Sequence, residues 1–139
     1  MPSNTPPQDN IDPNINEYTI LLVEDDAPDL ILTKNRVKNI WPNAKIIPVR
    51  SVGEAYETYA QHEFDLVLLD LNLPDAHGAA TVREMRSFTK KVPIVVLTGS
   101  GTDMTVSEAL KLGANHVALK SQMLDDDFRN ILEQHVQEH

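Results

Sequence analysis

The sequence predicts an α/β fold: an open, doubly wound parallel sheet of five strands with helices on both faces. Five short apolar runs carry that prediction, namely Thr19–Val23, Ile46–Val49, Leu66–Leu69, Ile94–Leu97 and Val117–Leu119. All are rich in Val, Ile and Leu and lack polar alternation, as strands buried on both faces do. Their starts lie 20 to 28 residues apart, and each interval holds a segment with helical spacing. Strand–helix alternation five times over, without a sequence repeat, specifies parallel pairing through right-handed crossovers. Five units are too few to close a barrel of eight.

Each helix has a start or a stop signal. Pro28 suits a first turn, and Leu30, Ile31, Lys34 and Val37 form a stripe that ends at Trp41-Pro42. Ser51-Val52-Gly53-Glu54 is a capping box opening a helix from Val52 to about Gln61. Ala79 to about Ser87 is the third helix, and Asp103 to Leu112 the fourth, stopped by Gly113. Leu124, Phe128, Ile131, Leu132 and Val136 form the apolar face of the last.

Residues 1–17, rich in Pro, Asn and Asp and without an apolar core, read as a disordered leader rather than a secretory signal. Residues 18–139 are one domain, large enough to bury roughly two thirds of its unfolded surface. No cysteine is present, which excludes disulfides and thiolate metal sites and suits the cytoplasm. No apolar run approaches the roughly 20 residues of a membrane helix. With 21 acidic against 12 basic residues, net charge −9, the surface repels nucleic acid. His62, His77, His116, His135 and His139 show no metal-ligand spacing and are expected on the surface.

Ligands of open α/β sheets bind beyond the carboxyl ends of the strands. The residues that follow the five runs are therefore informative: Glu24-Asp25-Asp26, Arg50-Ser51, Asp70, Thr98 and Lys120. Two carboxylates about 4 Å apart repel by about 4 kcal/mol at an effective dielectric near 20. Gathering Glu24, Asp25 and Asp70 calls for a cation, and hard oxygen ligands point to Mg²⁺. Magnesium shares phosphate oxygens readily, which suggests phosphoryl chemistry with Lys120 and Thr98 as amine and hydroxyl donors. Taken singly, each feature has a plainer explanation: acids favour helix N-termini, Thr98 would cap a turn, and Lys120 would be a solvated strand end. Their coincidence at four strand ends argues otherwise.

The chain resembles the receiver domains of bacterial response regulators over about residues 18 to 137. Ile20-Leu21-Leu22-Val23-Glu24-Asp25-Asp26 resembles the family's acidic motif, which implies Asp25 as a direct Mg²⁺ ligand and Glu24 acting largely through water. Leu66 to Gly78 resembles the phosphoacceptor strand and its turn, implying Asp70 as the phosphorylated residue and the Asn72 carbonyl as a metal ligand. Pro93 to Gly99 supplies the switch hydroxyl at Thr98, and Gly113 to Lys120 the phosphate-binding lysine. The resemblance further implies a flavodoxin-like strand order 2-1-3-4-5. Two positions depart from the family: Val117 stands where an aromatic ring usually switches rotamer, and Ser121 where a proline usually follows the lysine. A non-proline cis bond would cost about 3 kcal/mol, so a trans peptide is expected there.

The resemblance implies a phosphoacceptor switch and not a turnover enzyme, served by a sensor histidine kinase or a histidine phosphotransfer protein. As the chain ends with its fifth helix, a stand-alone regulator acting through protein contact, as monomer or weak homodimer, is expected, or else a relay intermediate or phosphate sink. A haloacid-dehalogenase-type phosphatase would need a second aspartate two residues after the first, where this chain has Asn72. A nucleotide or flavin binder would need a glycine-rich or Ser/Thr-rich loop where Glu24-Asp25-Asp26 stands.

Overall fold

The computed structural model describes residues 17–99, 103–122 and 125–137. Five strands form one parallel sheet: β1 (Thr19–Val23), β2 (Lys45–Val49), β3 (Leu66–Leu69), β4 (Ile94–Thr98) and β5 (His116–Leu119). Their order is β2-β1-β3-β4-β5, as expected. The helices are α1 (Ala27–Ile40), α2 (Val52–Tyr59), α3 (Ala80–Thr89), α4 (Asp103–Lys111) and α5 (Asp125–Gln137). A 3-10 turn, Lys120–Gln122, follows β5, an element the sequence pattern does not predict. The predicted leader except Glu17, together with Leu124 and His139, lies outside the described residues.

The apolar runs lack alternation because both faces of the sheet are covered. Leu21, Val23, Val67, Leu69 and Val96 face one way, against Val52 and Ala55 of α2, Val82 and Met85 of α3 and Ala109 of α4. Ile20, Leu22, Leu66, Leu68 and Val95 face the other, against Val37 of α1 and Phe128, Leu132 and Val136 of α5. Edge strand β2 pairs only with β1 and carries Pro48.

The stripe expected on α1 is corrected in part. Val37 is buried and Leu30 packs against the core, but Ile31 is 58% exposed and Thr33 takes the inward position. At 100° per residue the inward line is Leu30, Thr33, Val37, Ile40, which leaves Ile31 and Lys34 to one side. His135 is also corrected: it is buried, its ring 5.5 Å from that of half-buried His116.

At the amino edge of the sheet, Arg86 of α3 ties three segments together. Its guanidinium donates to the carbonyls of Gly113 at 2.9 Å, Val92 at 2.6 Å and Lys90 at 3.1 Å, and to Asn115 Oδ1 at 2.8 Å. Asn115 Oδ1 also accepts the Ile94 N–H that opens β4. Gly113 adopts φ +121°, and a Cβ there would stand 2.8 Å from Arg86 Cγ, so both backbone and space demand glycine.

Candidate phosphoacceptor site

Register brings the site together. Val23 pairs with Leu69, and the Asp70 N–H donates to the Val23 carbonyl at 3.0 Å, so Glu24 and Asp70 leave neighbouring strands side by side. Thr98 pairs with Leu119, which puts its hydroxyl one strand away from Lys120. All six residues singled out from the sequence, Glu24, Asp25, Asp70, Asn72, Thr98 and Lys120, line one cavity of about 540 Å³ at the carboxyl edge. Asp26, Ala27, Asp29 and Gly99 complete its described wall.

The residues in that cavity differ in how firmly they are held. Glu24, Asp70 and Thr98 are buried, while Asp25 and Asn72 are exposed. The Glu24 N–H donates to the Val49 carbonyl, and its carboxylate accepts the Asp26 N–H at 3.1 Å. Asp26 is the N-cap of α1, accepting the Asp29 N–H at 3.0 Å. The loop after Asp70 closes on itself through an Asn72–His77 bridge and a Gly78 N–H to Leu71 carbonyl bond. Gly78 makes that closure in the left-handed region, at φ +68°.

Lys120 is the only basic residue among the described residues of the wall, facing five acids. Its Nζ lies 2.5 Å from Glu24 Oε1, 2.8 Å from Asp29 Oδ2 and 3.7 Å from Asp70 Oδ1. Burial works against its charge, but the bonds to Asp29 and Glu24 and the Asp70 carboxylate outweigh it and raise its pKa above the ordinary lysine value. Glu24 is also raised, first by burial and further by Asp70, against the lowering effect of Lys120.

Among the described residues no three or more His, Asp or Glu side chains are arranged to hold a metal by themselves. The donor chemistry nonetheless fits Mg²⁺, which keeps several waters and needs only one or two carboxylates beside phosphate oxygens. Asp25 and Asp70 would supply the carboxylates, and Glu24 and Asn72 line the same cavity.

Two contributors escaped sequence reading. Asp29 reads as an ordinary acid in a helix's first turn, and nothing local reveals a partner 91 positions away. Asp75 caps α2, accepting the Val52 and Gly53 N–H groups at 3.0 Å each. The capping box itself forms with a shift: Ser51 Oγ accepts the Glu54 N–H, while Glu54 reaches the Arg50 N–H.

Residues 20–132 match the family described as response regulator receiver domain. The chain belongs to that family. The receiver domain is similar to transcription factor SKN7 of Saccharomyces cerevisiae, 30% identical over 132 residues, which cover 88% of this chain but 21% of that protein. Among solved structures it resembles the BeF3-activated N-terminal receiver domain of Klebsiella pneumoniae RstA, with TM-score 0.77 and 28% identity over 86% of this chain and 98% of that one. It also resembles the Mn(2+)-bound form of response regulator Rcp1, with TM-score 0.69 and 30% identity over 84% and 90% of the two chains. Val117, at the position usually aromatic in receiver domains, packs half-buried beside Val96 against the core. All described peptide bonds are trans, that between Lys120 and Ser121 included.

Proposed function

We propose that this receiver domain is a Mg²⁺-dependent phosphoacceptor in a two-component or phosphorelay system, with Asp70 as the phosphorylated residue. The observation that carries the reading is the convergence of Asp70, Lys120, Thr98 and the oxygen donors Glu24, Asp25 and Asn72 on one cavity.

In this reading an Asp70 carboxylate oxygen attacks the phosphorus of a phosphohistidine on a sensor kinase or phosphotransfer protein. The phosphorus–nitrogen bond breaks and the imidazole leaves with its electron pair. Mg²⁺, when bound, neutralises charge on the transferred oxygens. Lys120 adds an ammonium to the same charge, so catalysis is mostly positioning and electrostatics. The Thr98 hydroxyl then donates to the phosphoryl group and biases an equilibrium between two pre-existing states. Valine cannot perform an aromatic rotamer change, so Val117 leaves the output to other elements.

Asn72 orients a water but cannot take its proton, which makes self-dephosphorylation slow and the chain a switch rather than a turnover enzyme. Its output is contact with another protein or onward relay. The likeness to SKN7 covers about a fifth of that protein and does not carry the role of a transcription factor over to this acidic domain.

Incubation with acetyl phosphate and Mg²⁺ should place a base-labile label on the protein, absent from Asp70→Asn and lost on chelation by EDTA. A label persisting on Asp70→Asn would overturn the assignment.

A further inference from the structure

We propose that Asp29 is a positioning residue that holds the Lys120 ammonium off Asp70 until a phosphoryl group competes for it. The proposal rests on the phosphoacceptor reading of the site. Three distances carry it: Lys120 Nζ is within hydrogen-bond reach of Glu24 and Asp29, at 2.5 and 2.8 Å, but 3.7 Å from Asp70. An ammonium has three protons to donate, and two are committed away from the acceptor. At 3.7 Å the third makes no hydrogen bond to Asp70.

The two holders are unequal. The Glu24 side chain is 3% exposed and fixed through its own backbone and the Asp26 N–H, so its contact with the lysine has nowhere to go. The Asp29 side chain is 41% exposed, on the first turn of α1, where the Asp26 N-cap sets its position. Water is at hand to replace the lysine, so this is the contact that breaks. A phosphoryl group carries about −1.5 to −2 charges against the single charge of Asp29, and takes the ammonium from it. Asp29 thus lowers the affinity of the resting site for phosphoryl oxygens without touching them. An exposed ion pair of this kind shifts an equilibrium by about two- to fivefold.

The test is a double-mutant cycle read by ¹⁹F NMR titration of beryllofluoride, a phosphoryl mimic, at saturating Mg²⁺. Asp29→Asn should bind it about two- to fivefold more tightly than the unaltered protein, and Asp29→Glu should restore the original affinity. In a Lys120→Met background, Asp29→Asn should change nothing, because there is no ammonium left to release. An equal gain in both backgrounds would make Asp29 a mere source of through-space repulsion, and no gain in either would leave it without a role; each overturns the proposal. Failure of the unaltered protein to bind beryllofluoride at all would instead sink the phosphoacceptor reading itself.

Discussion

The two edges of the sheet are built on opposite terms. At the amino edge a single guanidinium meets four oxygens, three of them main-chain carbonyls and the fourth an amide, all neutral acceptors. Charge there fastens α3, the start of β4 and the turn before β5. At the carboxyl edge one ammonium faces five acids, two of the carboxylates and the ammonium itself at least half-buried. Like charges gathered there repel, as the upward push of Asp70 on the Glu24 pKa shows, and one lysine offsets that only in part. The first edge is electrostatically satisfied by its own residues, whereas the second carries an excess of negative charge that a bound cation would offset. A protein concentrates such unfavourable electrostatics where it binds something.

Breaking the amino edge should have the largest effect on stability. Arg86→Ala strands the carbonyls of Gly113 and Val92 and should cost about 3 kcal/mol in urea unfolding, while the folded fraction still labels at Asp70. Survival at full stability would show that the clamp is ornamental. Gly113→Ala comes next, at about 2 kcal/mol, since a positive φ and a clash with Arg86 Cγ act together. At the carboxyl edge the sign reverses. Asp70→Asn should stabilise the metal-free protein by about 1 kcal/mol while abolishing the label, and Mg²⁺ should shrink that gain. Destabilisation by this change would contradict the contrast between the edges.

The smallest effect is a pH dependence from His116. Burial first and the neighbouring His135 second lower its pKa below 6.5, so the unfolded chain takes up the proton more readily than the folded one. The stabilising contribution is complete above about pH 6.5 and is lost as pH falls toward the lowered folded value. The stability curve of His116→Gln should be flatter across that window, and an unchanged slope would remove His116 from the account.

Much of this was legible in the sequence, for identifiable reasons. Leu66–Leu69 is apolar at every position because both faces of the sheet are covered, and its predicted limits coincide with those of β3. Asp70, Thr98 and Lys120 were readable because a strand end is a local property, and parallel pairing brings such ends to one edge. Side-chain partnerships between distant segments were not readable. Asp29 finds Lys120, Asp75 finds the start of α2 and Arg86 finds Gly113 only after the sheet has set the distances between them. Helix rotation was the other loss: Ile31 and Thr33 lie on nearly opposite faces of α1, and composition favoured the apolar residue, which faces outward. His135 is one more such case, since a histidine can sit in an interior if the fold supplies surroundings that no short window displays.

Pro48 has a consequence for how copies of this domain can meet. The N–H of Lys45 and the carbonyl of Val49 both point to β1 and its flanks, so by strand alternation the imide nitrogen of Pro48 points outward. The ring therefore sacrifices no internal ladder bond, yet it deletes a donor from the outer rim of β2. A neighbouring chain seeking to extend the sheet along that rim would find a gap where it needs a hydrogen, so cross-chain ribbon growth and its aggregates are disfavoured from that side.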